Sequence, residues 1–181
     1  MAATLPAITP DLADWMQSQP IFFVATAPNE GHVNVSPKGY DTFRVLGERR
    51  AAYLDLTGSG IETIAHLREN ARITLMFCAF AGNPRIGRLY GRGTVHETGS
   101  PAFVELAPNF SMLPGARAIV EVAISRISTS CGYAVPLMDL VDDRSRLQDW
   151  ACAKGDRGLV EYRANKNAES IDGLPGLGFG R

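Results

Sequence analysis

An α+β fold with an antiparallel β-barrel core is what this 181-residue sequence predicts. Three observations carry that expectation. Roughly seven segments have strand character with few helical patterns between them, which favours a barrel over a doubly wound parallel sheet. The turns at 28–31 and 81–84 are hairpin-sized, whereas parallel strands need long crossovers. Apolar content of 45% and charged content of 20% are those of an ordinary globular domain, and the chain is long enough for one well-buried core.

The elements follow in order. Thr9-Pro10-Asp11 reads as a helix start, with Thr as N-cap, Pro at the first helical position and an acid in the first turn. Leu12, Trp15 and Met16 give this helix one apolar face, and Pro20 stops it. Ile21 to Thr26 is a buried-type strand, Pro28-Asn29-Glu30-Gly31 a turn, and His32 to Lys38 the returning strand of a hairpin. Thr42 to Leu46 and Ala51 to Leu56 are strands around the turn 47–50, and 61–70 is a helix burying Ile61, Ile64, Ala65 and Leu67.

Arg72 to Phe80 is a long β-rich run. Arg85 to Glu97 is extended, Pro101 to Leu106 a short helix, and Ala118 to Ile127 a strand with alternating Val120, Val122 and Ile124. Two amphipathic helical patterns, 142–153 and 156–168, flank Gly155, and the tail from Ile171 to Gly178 is too rich in Gly and Pro for regular structure. The expected organisation is one domain over 1–181: an N-terminal helix to residue 20, a barrel over 21–130, and C-terminal helices and tail over 131–181.

Several function classes are disfavoured. A net charge of −1 gives no basic field for nucleic acid. The N-terminus has no basic n-region and no long apolar run, so neither a signal peptide nor a membrane span is expected. Cys78, Cys131 and Cys152 are odd in number and widely spaced, with Cys78 and Cys152 reading as small core residues. No CxxC or HExxH is present and His32, His66 and His96 are far apart, so no metal site or disulfide framework is expected, and a cytoplasmic setting is.

The most informative stretch is Thr57-Gly58-Ser59-Gly60-Ile61-Glu62-Thr63. A strand, a Gly/Ser turn and a helix start in that order leave backbone N–H groups free at the positive end of the helix dipole, a ready anion site. Thr57, Ser59 and Thr63 add hydroxyls, and the glycines permit close approach to a phosphate. Ser59 followed three residues later by Glu62 is equally the signature of a capping box, which needs no ligand. The stretch is neither a Walker loop nor a GxGxxG. Strand alternation adds to it: His32, Asn34, Ser36 and Lys38 share one face, and Arg88, Tyr90 and Arg92 share another. Beside an anion site, Ser36, Lys38 and Arg88 would supply donors for a phosphorylated aromatic ligand.

The chain resembles the pyridoxamine 5′-phosphate oxidase-like, FMN-binding split barrels. The resemblance is carried by His32-Val33-Asn34-Val35-Ser36-Pro37-Lys38-Gly39, Tyr53-Leu54-Asp55-Leu56-Thr57-Gly58-Ser59-Gly60 with Glu62-Thr63, and the run Ala65 to Phe77. Arg85-Ile86-Gly87-Arg88-Leu89-Tyr90-Gly91 and Ser170 to Leu177 continue it. It implies a six-stranded split barrel with peripheral helices, a homodimer with two FMN sites at the subunit interface, and cofactor contacts from Ser36, Lys38, Thr57, Ser59, Thr63 and Arg88. Two departures count against vitamin B6 oxidation itself. Ile61-Glu62-Thr63 stands where the oxidase has a basic pair for phosphate, and the C-terminal Trp and Arg-x-His signature is missing.

The leading expectation is an FMN-dependent oxidoreductase acting on a small molecule, with the flavin carrying the redox chemistry. The alternatives are a non-catalytic flavin carrier or redox sensor, and a split barrel taking haem, through His32, His66 or His96, or a deazaflavin.

Overall fold

The computed structural model describes residues 3–178. The chain order is β1 (Ala3–Leu5), α1 (Pro10–Gln17), β2 (Phe22–Thr26), β3 (Asn34–Lys38), β4 (Phe43–Gly47), β5 (Arg50–Leu56), α2 (Glu62–Asn70), β6 (Arg72–Cys78) and β7 (Ile86–Glu97). It ends with α3 (Pro101–Leu106), a 3-10 turn (Ala107–Asn109), β8 (Ala116–Ser130) and α4 (Arg146–Lys166). The described strands number eight, more than the six the resemblance implies. They form one sheet in the order β3-β2-β6-β7-β8-β5-β4, with β1 added to β8, and every pairing is antiparallel.

The sheet curls on itself. Phe22 of β2 lies near one end of the strand order and Phe43 of β4 at the other, yet their rings are 5.5 Å apart. Phe22 also meets Tyr53 of β5 at 5.7 Å, and Phe43 meets Phe77 of β6 at 4.7 Å. This aromatic knot, with Leu75, Leu89, Val120 and Val122, is the barrel core. Each such side chain taken from water contributes about 1.5–3 kcal/mol. Helix α1 plugs one end of the barrel with Leu12 and Met16, as its apolar spacing requires, and Thr9 caps it by accepting from the Leu12 N–H.

Local chemistry explains where elements begin and bend. Ser100 caps α3 through the Phe103 N–H, with Pro101 next in line. Helix α4 is one element kinked at Gly155 (φ 62°, ψ 173°), so the two helical patterns are joined end to end and start at Arg146 rather than Asp142. Strand β3 starts at Asn34 rather than His32, because the His32 N–H is taken by the Asp172 carboxylate and not by a ladder. Cys78 is buried as expected, whereas Cys152 is exposed: α4 turns Ala151 and Leu159 inward instead. None of the described helices is long and apolar enough to cross a membrane.

Candidate functional site

The inward face of β3 makes one wall of a cleft. Alternation turns Asn34, Ser36 and Lys38 inward and leaves Val33 and Val35 outward, 73% and 60% exposed. Opposite stand Gly58, Ser59 and Gly60 of the turn after β5, with Thr63 and Glu62 from the first turn of α2. Arg117 of β8 and Leu147 of α4 complete a space of about 320 Å³.

A buried carboxylate organises the floor. Asp55 of β5 is fully buried and accepts from Lys38 Nζ at 2.6 Å and from Arg117 Nε at 2.7 Å. Burial by itself would raise its pKa; the charges of Arg117 and Lys38, and their hydrogen bonds, outweigh that and hold the carboxyl at about 2. Arg117 also donates from Nη1 to the Gly60 carbonyl at 3.0 Å and to Asn167 Oδ1 at 2.9 Å. Two cations share one anion here, so the cleft floor keeps a positive charge. Beside it the Tyr53 hydroxyl is buried without a hydrogen-bond partner, and burial, with Asp55 second, pushes its pKa well up.

A second network runs behind β3. Asn34 Nδ2 donates to Thr63 Oγ1 at 3.0 Å and to Thr26 Oγ1 at 3.3 Å, and Asn34 Oδ1 accepts from Ser36 Oγ at 3.2 Å. Thr26 Oγ1 is in turn 3.0 Å from His66 Nδ1, and His66 Nε2 is buried and unpartnered. Because Thr63 Oγ1 accepts from Asn34, its own O–H is left to donate into the cleft.

The helix start differs from the capping box read in the sequence. Ile61 is the N-cap of α2, with no side-chain cap bond, and Ser59 lies before it. The Glu62 carboxylate instead accepts from the Ile171 N–H of the tail at 3.3 Å, which the sequence could not pair across so many residues. An uncapped first turn leaves its N–H groups to a ligand or to water.

Four of the six residues singled out in the sequence therefore line one cleft: Ser36, Lys38, Ser59 and Thr63. Thr57 lies beneath it, buried. Its hydroxyl donates to the Gly115 carbonyl at 2.7 Å and accepts from Arg163 Nε at 2.8 Å, so it braces the turn. Arg88 lies on the other side of the sheet. The register aligns Pro37, Phe23, Met76 and Arg88 in one row, and Lys38, Phe22, Phe77 and Gly87 in the next. Neighbouring residues of a strand face opposite ways, so Arg88 shares the outer face of Pro37 and points away from Lys38. There its Nη1 donates to Ser130 Oγ at 3.3 Å. The sequence reading missed Asp55, Arg117 and Asn167. A charged residue inside the apolar run Ala51–Leu56 was the available signal, since a buried carboxylate demands cationic partners.

A larger hollow of about 830 Å³ adjoins the cleft across the shared wall Pro37 to Tyr40. Ile21, Phe23, Phe80, Met138 and Leu140 give it an apolar lining. Its wall is held by the Tyr40 hydroxyl, which donates to the Arg144 carbonyl. Tyr40 and Asp41 both adopt left-handed backbone, φ 63° and 52°, an uncommon conformation for residues other than glycine. The three histidines all have protein neighbours: His32 with Asp172, His66 with Thr26, and His96 with Glu121. Among the described residues no three His, Cys, Asp or Glu side chains gather as a metal-ligating group.

Comparison with known proteins agrees with this fold. Residues 8–131 match the family model described as pyridoxamine 5′-phosphate oxidase. The pyridoxamine 5′-phosphate oxidase family protein ustO of Aspergillus flavus is 44% identical over 189 residues, covering 94% of this chain and 76% of that protein. Among solved structures, HupZ from Group A Streptococcus superposes with a TM-score of 0.51 at 21% identity, covering 66% of this chain and 91% of that one. The FAD binding protein of Mycobacterium smegmatis gives 0.51 at 13% identity, covering 68% and 97%. These two structural likenesses speak for the barrel fold. On the family match over residues 8–131 and the 44% identical relative, this chain belongs to the pyridoxamine 5′-phosphate oxidase family.

Proposed function

We propose that the chain is a homodimeric FMN-dependent oxidoreductase, with the flavin phosphate in the cleft between β3 and the start of α2. The observation that supports this best is the convergence there of Lys38, Ser59, Thr63 and an uncapped helix N-terminus. Lys38 keeps donors beyond the one given to Asp55, and Thr63 keeps its hydroxyl proton. Glu62 is the one anion in the wall; one of its carboxylate oxygens accepts from the Ile171 N–H of the tail and the other lies over Gly60. The donor set fits a phosphate, held by hydroxyls, amides and Lys38 in place of a basic pair.

Bound flavin would supply the electron or hydride chemistry. The chain's own residues bind, orient and exclude water. The adjoining apolar hollow offers room for a second reactant, which favours turnover over storage of the cofactor. A dimer is favoured by the outer face carrying Val33, Val35 and Pro37, an exposed apolar strip that association would cover. The same face carries Arg88, so a second copy is the route by which that arginine reaches a cleft.

The deciding measurement is the visible spectrum of purified protein, with mass identification of what denaturation releases and an FMN titration of the stripped chain. Flavin absorbance, released FMN and saturable quenching are expected. A colourless protein that leaves FMN fluorescence unchanged sinks the proposal, and a haem spectrum replaces it. Reduction of bound flavin by a nicotinamide in stopped flow, followed by reoxidation, separates an oxidoreductase from a carrier.

A further inference from the structure

We infer that the C-terminal helix α4 is part of the anion site, with Asn167 and Arg163 as the positioning residues that shape the phosphate-binding turn; this rests on the flavin-phosphate reading above. Helix α4 lies outside the family-matched segment 8–131 and is the only described helix after it. Asn167, at its C-terminal end, is completely buried. Its Nδ2 donates to the Gly58 carbonyl at 3.1 Å, and its Oδ1 accepts from Arg117 Nη1, which also holds the Gly60 carbonyl. One turn earlier, Arg163 donates from Nε to Thr57 Oγ1 at 2.8 Å and from Nη2 to the carbonyls of Gly115 and Ala116, at 3.3 and 3.1 Å.

Peptide geometry converts those bonds into a site. In a trans peptide the C=O and the following N–H point in opposite directions, and no cis bond occurs among the described residues. Drawing the Gly58 and Gly60 carbonyls onto Asn167 and Arg117 therefore turns the N–H groups of Ser59 and Ile61 away from those two side chains, and Ser59 itself lines the cleft. Backbone amides left free in this way beside a helix start favour an anion. The tail keeps Asn167 in place. Its backbone carbonyl accepts from the Leu177 N–H at 3.0 Å, and Leu177 packs on Ile61 and Ile64 at the start of α2. Gly176 passes so close that a Cβ there would sit 2.8 Å from Ile61 Cγ1.

The test compares FMN with riboflavin, the same ring system without the phosphate, by fluorescence quenching on the full chain. Asn167→Ala is expected to weaken FMN binding about tenfold while changing riboflavin affinity by less than about twofold. A variant that is merely less well folded loses both affinities in proportion to its competent fraction, leaving their ratio unchanged. Arg163→Met, which loosens Thr57 without opening the interior at Asn167, carries the test if Asn167→Ala does not fold. An FMN-to-riboflavin ratio equal to wild type in a folded variant overturns the inference. A wild-type chain that binds riboflavin as tightly as FMN fails differently, by removing the phosphate site itself.

Discussion

Lys38 Nζ lies 2.6 Å from the Asp55 carboxylate, and Asp55 is wholly buried between it and Arg117. The ion triad spans β3, β5 and β8, so it ties the cleft wall to the barrel. The Asp55 pKa is held from 3.8 down to about 2, and a depressed carboxylate stabilises the fold above its unfolded pKa. That contribution, about 2 kcal/mol, is therefore complete above about pH 4 and is lost as pH falls through the window toward 2. Asp55→Asn leaves two cations without their anion and should cost about 3–5 kcal/mol at neutral pH while abolishing that acid slope. Urea unfolding between pH 2 and pH 6 reads both. An acid slope equal to wild type in the variant would assign the loss to other carboxylates.

A second pH window belongs to His66. Burial lowers its pKa from 6.5, partly offset by the charges of Asp172, Glu62 and Glu69. A depressed histidine binds its proton more readily in the unfolded chain, so stability should fall as pH drops below about 6.5, well above the Asp55 window. His66→Gln removes the titration, and its stability should change less between pH 7.5 and pH 5 than that of wild type. Equal losses in the two proteins would clear His66 of the effect.

Ser59 separates a helix cap from a ligand group. Because Ile61 holds the cap position, Ser59→Ala should shift stability by no more than about 0.5 kcal/mol, less than the usual loss of a capping side chain. Ser59→Asp should melt at or above the wild-type temperature, since a carboxylate suits a helix N-terminus. It should nevertheless bind FMN about tenfold or more weakly, because it faces the phosphate beside Glu62. Melting curves and FMN titrations of the apo-protein check both halves, and an Asp variant with wild-type affinity would move the phosphate away from this turn.

How much of this was legible in the sequence depends on the range of the interaction. Thr9-Pro10 announced its helix because a cap is made within three residues. That Asn34, Ser36 and Lys38 share a face followed from strand alternation, and Gly155 marked where the two helical patterns meet. Asp55 with Arg117, Asn167 with Gly58 and Glu62 with Ile171 join residues 62 or more apart, which no local pattern records. Strand β1 escaped notice because three residues show no period, and it exists only by pairing with β8. The opposed facing of Lys38 and Arg88 was hidden for another reason: each strand's alternation is readable, but the register relating two strands is not.

That opposed facing supplies the sharpest test of the dimer. If each cleft takes Lys38 from one copy and Arg88 from the other, Lys38→Ala and Arg88→Ala should each weaken FMN binding, Lys38→Ala by about ten- to hundredfold. Mixing the two variants after dissociation and reassociation produces heterodimers. One cleft of each then carries both substitutions and the other carries neither. About a quarter of all clefts should thus regain wild-type affinity, given random pairing of two copies in a closed twofold dimer. A tight-binding fraction appearing only in the mixture, at the dimer mass in light scattering, is the expected result. If Arg88 acts in its own chain or takes no part, the mixture shows only the average of its components, and the shared-site reading fails while the Lys38 cleft still stands.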